Sequence, residues 1–223
     1  MTIRNLEYLF KPRSIAVVGR GKQAGSPDGT VEFNLIEGGF KGPVMPVNPD
    51  RQSAAGVLAY KDIASLPVVP DLAILTTPLE EASPLIGELG ARGTKAALLL
   101  SREILQDHRG DKAALLSQEM QGKYPDEGES LKRKILETAK PFLLRVMGPD
   151  HLGYAVPAAN VNASLSATRP LPGHIALLCQ SAAIMRGVID WATGRNIGFS
   201  HVISVGMRWD VDLGDLLDYL LQD

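Results

Sequence analysis

A glycine-rich basic turn is the first part of the sequence that could bind an anion. The apolar run 15–18 is followed directly by two glycines and two basic residues: Gly19, Arg20, Gly21 and Lys22. A glycine turn between a strand and a helix places backbone N–H groups at the positive end of the helix dipole, where a phosphate is stabilised. The dinucleotide fingerprint Gly-x-Gly-x-x-Gly needs glycine at position 24, where Ala24 stands, so the match is partial. A turn that needs glycine only for its tight geometry is the alternative interpretation.

Two later turns follow apolar runs and would lie on the same edge of a parallel sheet. After the second run stand Val47, Asn48 and Pro49, and after the third stand Thr76, Thr77 and Pro78. NAD-binding folds usually place a carboxylate after the second strand to accept from the ribose hydroxyls. Neutral Asn48 cannot supply that charge, so the sequence argues against NAD and leaves a phosphorylated adenosine open. Asn-Pro and Thr-Pro are also ordinary turn sequences.

Another turn, between a predicted strand and a predicted helix, lies in the second half of the chain, at Cys179, Gln180, Ser181 and Ala182. Ser181 is predicted to cap the helix that follows, where N–H groups could hold an anion. A serine hydrolase is disfavoured because no Gly-x-Ser-x-Gly frame surrounds Ser181. We expect Cys179 to be a small buried hydrophobe rather than a nucleophile. The histidines show no metal-ligand spacing, and no metal site is predicted: His108, His151, His174 and His201.

Alternating strand and helix patterns must position these turns. Strands are predicted at residues 14–18, 43–47, 72–76, 95–100, 142–147, 174–179 and 200–205. Helices are predicted at about 28–37, 80–91, 182–193 and 212–221. Alternation of this kind indicates an α/β fold with a doubly wound parallel sheet.

Two segments interrupt the alternation. Residues 103–140 are charged and predict two helices around a polar loop at 122–128, and residues 150–173 are weakly periodic and predict a domain connection. The two strands and two helices that follow are too few for an independent domain, because the sheet edges would stay open. We expect a partner chain or a continuation of the chain to complete this part. The alternative is that it packs onto the first sheet.

Composition excludes several classes of protein. Lysine and arginine number 23 against 25 acidic residues, so the broad basic surface of a nucleic-acid-binding protein is absent. A single cysteine excludes an internal disulfide and fits a reducing compartment. No apolar run approaches the ~18 residues of a membrane span. A cytoplasmic protein is therefore expected.

The combination of several short motifs is more specific than any of them alone. These motifs are Leu9-Phe-Lys-Pro-Arg-Ser-Ile-Ala-Val-Val-Gly19, Glu37-Gly-Gly-Phe-Lys-Gly-Pro-Val44, Pro46-Val-Asn-Pro49, Glu88-Leu-Gly-Ala-Arg-Gly93 and Gly198-Phe-Ser200. Together they resemble the N-terminal CoA-binding region of NDP-forming acyl-CoA synthetases, a family related to the succinyl-CoA synthetase α subunit. The resemblance spans nearly the whole chain, and only about residues 103–140 look like an expansion.

The resemblance implies a Rossmann-like CoA-binding domain at residues 1–149, a connection at 150–172, and the first part of a flavodoxin-like domain at 173–223. The implied ligand is CoA or acyl-CoA. Its pocket would be formed by Gly19 to Lys22, Val47 to Pro49, Thr76 to Pro78, and Ser101. Helix-start amides at Gln180, Ser181 and Ala182 would face a phosphoryl group, beside a second phosphate loop at Gly148, Pro149 and Asp150.

Departures from the family pattern argue against catalysis by this chain alone. The family's Gly-Ala-Ser is Gly19-Arg20-Gly21, its Gly-Pro-Asn-Cys is Gly148-Pro149-Asp150-His151, and its Ser-Gln-Ser-Gly is Cys179-Gln180-Ser181-Ala182. Asp150 would put negative charge where phosphate should pass. The region that carries the family's phosphorylated histidine is expected beyond residue 223.

Three functional hypotheses remain open besides a CoA-binding module that is not catalytic alone. One is a fragment of an active synthetase that needs the phosphohistidine region and a nucleotide-binding β part. Another is the synthetase-like region of a bacterial protein lysine acetyltransferase, which the run Ser181-Ala-Ala183 resembles. The third is an NAD(P)-binding sensor, which the first glycine turn favours and Asn48 disfavours.

Overall fold

The computed structural model describes residues 3–23, 25–100 and 125–222. The strands are β1 (Ile15–Val18), β2 (Val44–Val47), β3 (Ser53–Ala54), β4 (Val57–Leu58), β5 (Leu72–Leu75), β6 (Ala96–Leu99), β7 (Arg145–Met147), β8 (Gly153–Val156), β9 (Val161–Ser164), β10 (Pro172–Cys179) and β11 (Phe199–Ser204). The helices are α1 (Glu7–Phe10), α2 (Pro27–Ile36), α3 (Ala82–Arg92), α4 (Pro125–Ala139), α5 (Ala182–Thr193) and α6 (Leu213–Leu220). Short 3-10 helices cover Leu79–Glu81, Lys140–Phe142 and Pro157–Ala159. Within these described ranges, no helix has the length and apolar character that crossing a membrane requires.

Five parallel strands form the first sheet, in the order β2-β1-β5-β6-β7. Chain order reverses at β1, because β2 lies on one side of it and the later strands follow on the other. Doubly wound sheets bind ligands outside the carboxyl ends of the strands beside such a reversal. The predicted α/β fold with a doubly wound parallel sheet is confirmed, and it indicates where a ligand site should lie.

Both faces of the first sheet are covered. In β1, Ile15 and Val17 pack into the core that contains α2, whereas Ala16 and Val18 pack into the core that contains α3 and α4. Successive side chains of a strand point to opposite faces, so a strand that is apolar throughout must be covered on both. Helix α2 begins where Ser26 accepts a hydrogen bond from the N–H of Gly29, and Pro27 fits the first helical position.

Four strands form the second sheet, in the order β10-β11-β8-β9. Strands β10 and β11 are parallel, whereas β8 is antiparallel to both β11 and β9. Residues 150–172, predicted to be a weakly periodic connection, therefore contain two strands. Each of these strands has only four residues, and all of them are buried, so burial does not alternate along either strand. In β9 the polar residues Asn162 and Ser164 alternate with apolar ones, but so short a pattern is a weak strand signal. The domain boundaries themselves stay a prediction.

The second sheet packs onto the first half of the chain, which is the alternative left open above. The ring of Phe10 lies 5.2 Å from that of Tyr154 and 5.0 Å from that of Tyr219. The Tyr154 hydroxyl also donates a hydrogen bond to the carbonyl oxygen of Leu9. One apolar core thus joins the two sheets. Strand β10 nevertheless lies at the edge of the second sheet, and none of its residues is buried.

A buried ionic cluster also links the two halves. Arg145, in the edge strand β7, donates from Nε to Asp210 Oδ2 at 2.9 Å and from Nη2 to Asp215 Oδ2 at 2.6 Å. Asp210 Oδ2 also accepts from the N–H of Val146 at 2.8 Å. Burial lowers the pKa of Arg145, but Asp210 and Asp215 outweigh that effect and raise it above its ordinary value. Arg145 is therefore charged and fixes α6 to the first sheet.

The segment predicted to hold two helices is described only in part. Helix α4 begins at Pro125, so the predicted polar loop at 122–128 is wrong from that residue onward. Proline suits the first turn of a helix because it has no N–H to leave unpaired there. The other predicted helix of this segment, and Ser101, lie outside the described residues.

Candidate functional site

A cleft opens at the carboxyl edge of the first sheet, where β1 lies between β2 and β5. It holds about 470 Å³ of space, part of it open to solvent. Its lining residues are Val18, Gly19, Arg20, Val47, Pro49, Lys61, Asp62, Ile63, Thr77, Glu81, Leu85 and Glu88. The cleft therefore lies at the point of the sheet where a ligand is expected.

The structure brings some of the predicted ligand-binding residues to this cleft and leaves others outside. Those in its lining are Gly19, Arg20, Val47, Pro49 and Thr77. Described residues outside the lining are Gly21, Lys22, Asn48, Thr76 and Pro78. Whether any of them contacts a ligand stays a prediction.

Sequence reasoning missed two groups of lining residues. Lys61, Asp62 and Ile63 lie in an irregular segment after β4, which carries no periodic signal. Glu81, Leu85 and Glu88 follow the spacing i, i+4, i+7 at α3, and that spacing could have placed them on one helix face.

The glycine turn after β1 wraps around the side chain of Asp28, near the start of α2. The N–H of Gly21 donates to Asp28 Oδ2 at 3.0 Å, and the Ser26 hydroxyl donates to Oδ1. A Cβ atom added at Gly19 would lie 2.5 Å from Asp28 Cβ, and one at Gly21 would overlap Asp28 Oδ1. Both positions therefore need glycine because the turn packs against a carboxylate, which favours the interpretation of these glycines as a requirement of tight geometry.

Asn48 fixes the end of β2 to this turn. Its Nδ2 donates to the carbonyl oxygen of Gly21 at 3.0 Å and to Asp28 Oδ2 at 3.1 Å, while its Oδ1 accepts from the N–H of Asp50 at 2.9 Å. The side-chain amide is thus used within the protein, and the neighbours Val47 and Pro49 line the cleft.

Arg20 reaches across the cleft to Glu81. Its Nε and Nη2 atoms each lie 3.0 Å from Glu81 Oε2. The two side chains are 62% and 37% exposed, and exposed ion pairs contribute little to stability. The pair can therefore open at small cost when a ligand anion approaches Arg20.

Thr77 brings a buried hydroxyl to the cleft. Its Oγ1 atom has no hydrogen-bond partner among the described residues, whereas the Thr76 hydroxyl donates to the carbonyl oxygen of Val18 at 3.1 Å. Buried polar groups are normally paired. The lining of the cleft thus includes a residue whose buried hydroxyl has no partner among the described residues.

A second buried carboxylate lies one helical turn after Asp28. Arg51 Nη1 lies 3.6 Å from Asp28 Oδ2 and 3.3 Å from Glu32 Oε2, and both acidic residues are 1% exposed. Burial raises the pKa of Glu32 to about 7, with Arg51 opposing the rise and Asp28 adding to it. Two buried carboxylates thus share one guanidinium beneath the glycine turn.

We expect Glu32→Gln to increase the free energy of unfolding above pH 7 and to change it little below pH 4.5. The folded-state pKa of about 7 lies above the ordinary value of 4.5, so the folded protein takes up a proton in this window that the unfolded chain does not. Ionised Glu32 therefore destabilises the folded protein. This destabilisation is absent below pH 4.5, increases between pH 4.5 and about 7, and is complete above pH 7. Urea unfolding of both proteins between about pH 4 and pH 8 measures the difference. A difference that stays constant over this range would contradict the prediction.

The loops that the resemblance links to phosphate lie apart from the cleft. Gly148, Pro149 and Asp150 follow β7, three strands from β1 and thus about 14 Å across the sheet. The turn Gln180-Ser181-Ala182 follows β10. The segment after β11 connects them, because Val205 N–H donates to Cys179 O at 3.0 Å and Met207 N–H donates to Pro149 O at 2.8 Å.

The two phosphate-linked loops are supported from within the protein. Ser181 Oγ accepts from the N–H of Ile184 at 3.3 Å, which confirms the predicted helix cap. His151 Nδ1 accepts from the N–H of Gly153 at 2.8 Å, and burial lowers the pKa of His151 to about 4. His151 is therefore neutral at neutral pH and supplies no positive charge for a phosphate.

Two family models match this chain. One, described as a CoA binding domain, matches residues 13–157, and the other, described as a succinyl-CoA ligase like flavodoxin domain, matches residues 172–223. The chain belongs to the CoA-binding domain family. More narrowly, it corresponds to the N-terminal CoA-binding region of ADP-forming acyl-CoA synthetases, as the resemblance in the sequence predicted.

The relatives are longer than this chain. It is 30% identical to the alpha subunit of acetate–CoA ligase (ADP-forming) I of Pyrococcus furiosus, with 98% of this chain and 45% of that protein matched. It is 31% identical to acetate–CoA ligase (ADP-forming) I of Archaeoglobus fulgidus, with 98% and 29% matched. The structure of dinucleotide-forming acetyl-coenzyme A synthetase 1 of Ca. Korarchaeum cryptofilum in complex with phosphate and ADP is similar with a TM-score of 0.82, at 31% identity, over 98% of this chain and 43% of that one. The chain thus spans less than half the length of these relatives.

Proposed function

We propose that this chain binds CoA or acyl-CoA in the cleft beside β1, as the ligand-binding region of an ADP-forming acyl-CoA synthetase. The observation that carries the proposal is the position of the cleft, at the chain-order reversal of a member of the CoA-binding domain family. The proposal assigns binding to this chain and does not assign it the complete reaction.

The cleft supplies the three kinds of contact that CoA needs. Arg20 and Lys61 are cations that can pair with phosphate groups. The unpaired Thr77 hydroxyl can bond to a polar group of the ligand. Val47, Pro49 and Ile63 offer apolar surface for the rest of the molecule.

On this proposal, the synthetase reaction needs protein regions in addition to the residues described above. The chain matches under half of its relatives, and the exposed edge of β10 leaves the second sheet open to another strand. A continuation of the chain or a partner subunit would cover this edge and supply the remaining groups. The loops at Gly148–Asp150 and Gln180–Ala182 would then receive the phosphoryl group. The alternative is that this chain is the synthetase-like region of a bacterial protein lysine acetyltransferase. The two alanines that follow Ser181 support this alternative.

Calorimetric titration of the purified chain with CoA, acetyl-CoA and NADH at modest salt tests the binding proposal. We expect saturable heat with CoA and acetyl-CoA and none with NADH. Thr77→Val removes one hydroxyl at nearly constant shape and is expected to weaken CoA binding by about 2- to 10-fold, the range of one hydrogen bond. Binding of NADH without binding of CoA would instead support the NAD(P) hypothesis. No heat with any ligand would leave a scaffold role.

A complementation assay separates a binding module from a synthetase fragment. The chain would be joined to the remaining α region and the β part of a relative, and ATP formation from acyl-CoA, ADP and phosphate would be measured. Activity would identify a fragment of a working synthetase. CoA binding without activity would leave a module that binds and does not react.

A further inference from the structure

We infer that Asp28 occupies, with its own carboxylate, the anion position at the start of α2, and so determines which nucleotides this protein accepts. A ligand that must place a diphosphate on the first glycine turn is excluded. The phosphate groups of an accepted ligand are bound instead on the cleft side of the turn, by Arg20 and Lys61. This last step rests on the proposed function, whereas the occupied anion position does not.

The surroundings of the Asp28 carboxylate are those of an anion site. Three neutral donors point at its two oxygens: the N–H of Gly21, the hydroxyl of Ser26 and the Nδ2 of Asn48. The guanidinium of Arg51 lies 3.6 Å from Oδ2. Backbone and side-chain donors around one cationic group at a helix start are the constellation that stabilises a phosphate. Here the protein fills it with a side chain.

Space is also used up by the carboxylate. A Cβ atom added at Gly19 or Gly21 would collide with side-chain atoms of Asp28 or Ser26. The Asp28 side chain itself is buried, with the residue 1% exposed. In a dinucleotide-binding turn the glycines let the backbone approach a pyrophosphate. In this turn the backbone at Gly19 and Gly21 packs against the Asp28 side chain instead. No room therefore remains for a phosphate beside the N–H of Gly21.

Charge acts in the same direction as space. Arg51 is shared between Asp28 and Glu32, so the cluster is negative whenever both acids are ionised. A phosphate at the start of α2 would face this negative charge in a buried, poorly screened environment. Arg20 and Lys61 lie in the cleft lining, outside this cluster, and remain accessible to a ligand anion.

Removal of the carboxylate is therefore expected to create an anion site. Asp28→Ala leaves the N–H of Gly21 without its side-chain acceptor, whereas the Ser26 hydroxyl keeps Gln23 O and the Asn48 Nδ2 keeps Gly21 O as acceptors. The space that the carboxylate leaves beside these three groups can be filled by inorganic phosphate or the diphosphate of ADP. We expect ADP to bind the variant at least tenfold more tightly than the unmodified chain, as measured by calorimetry. Asp28→Asn is the matched control, because its amide keeps the space filled and should show no such gain.

Thermal unfolding keeps the inference testable if Asp28→Ala is less stable. Phosphate should raise the unfolding midpoint of Asp28→Ala well above the value in chloride at equal ionic strength, because a ligand that binds only the folded state stabilises it. It should affect the unmodified chain and Asp28→Asn little. The double variant Asp28→Ala, Glu32→Gln should respond more strongly, since the remaining buried acid is neutral.

Several results would overturn the inference. An Asp28→Ala variant that stays unfolded in phosphate, or that phosphate and ADP do not affect beyond ionic strength, would show that no anion position exists there. Tight binding of ADP or NADH to the unmodified chain, lost in Arg51→Ala and kept in Arg20→Ala, would place the ligand phosphates at the helix start after all. Failure of the unmodified chain to bind CoA would overturn the proposed function and leave the phosphate response of Asp28→Ala as an independent result.

Discussion

Replacing Arg145 with alanine is expected to lower the free energy of unfolding by about 3–5 kcal/mol, the typical cost of leaving a buried charge without its partner. Asp210 and Asp215 both lose their hydrogen bonds to the guanidinium, and Asp215 is 4% exposed, so water cannot fully replace them. Because Asp210 precedes α6 and Asp215 lies within it, we expect the second sheet to loosen from the first. Urea unfolding at neutral pH measures the loss.

The exposed pair of Arg20 and Glu81 provides the matched control. Arg20→Ala also removes one arginine from one ion pair, but the pair is exposed and is expected to contribute only about 0–1 kcal/mol. Arg145→Lys keeps the charge but loses the guanidinium geometry that donates to both acids. Its loss of unfolding free energy should therefore lie between those of Arg145→Ala and Arg20→Ala. Equal losses for Arg145→Ala and Arg20→Ala would mean that the cluster does not connect the halves.

Arg20→Glu is expected to weaken CoA binding by about one to two orders of magnitude, the range of a hydrogen bond to a charged group. The change removes a cation from the cleft and places a carboxylate beside Glu81, and both effects repel phosphate. Glu81→Gln should have the opposite effect, because it frees Arg20 from its internal partner. Calorimetric titration with CoA measures both variants.

Lys41→Glu makes the same change of charge at a matched control position. Lys41 is exposed and precedes β2, at the amino edge of the sheet and away from the cleft. We expect CoA affinity to be nearly unchanged in this variant. An unchanged affinity in Arg20→Glu would remove Arg20 from the site, and equal losses in both variants would reduce its role to net charge.

Local signals along the chain were sufficient for most of the first sheet. Apolar runs such as Ile15–Val18 and Leu72–Leu75, separated by helices that end at glycine, predict a parallel sheet without knowledge of distant contacts. Gly93 shows why such stops are reliable: its φ of 107° closes α3 in a conformation that other residues rarely adopt. The cap at Ser181 is equally local, since donor and acceptor lie three residues apart.

The sequence by itself determined the α/β class, the edge of the sheet at which the cleft lies, and the resemblance to CoA-binding synthetase regions. Only the tertiary structure decided that the glycine turn packs around Asp28. The partners of this carboxylate include Asn48 and Arg51, which lie in the turn after β2. The tertiary structure also decided that residues 150–172 form two strands and that Arg145 meets Asp210 and Asp215, some 65 and 70 residues away along the chain. Periodicity and capping depend on neighbours within a few residues. Which carboxylate fills which space depends on distant residues that only folding brings together.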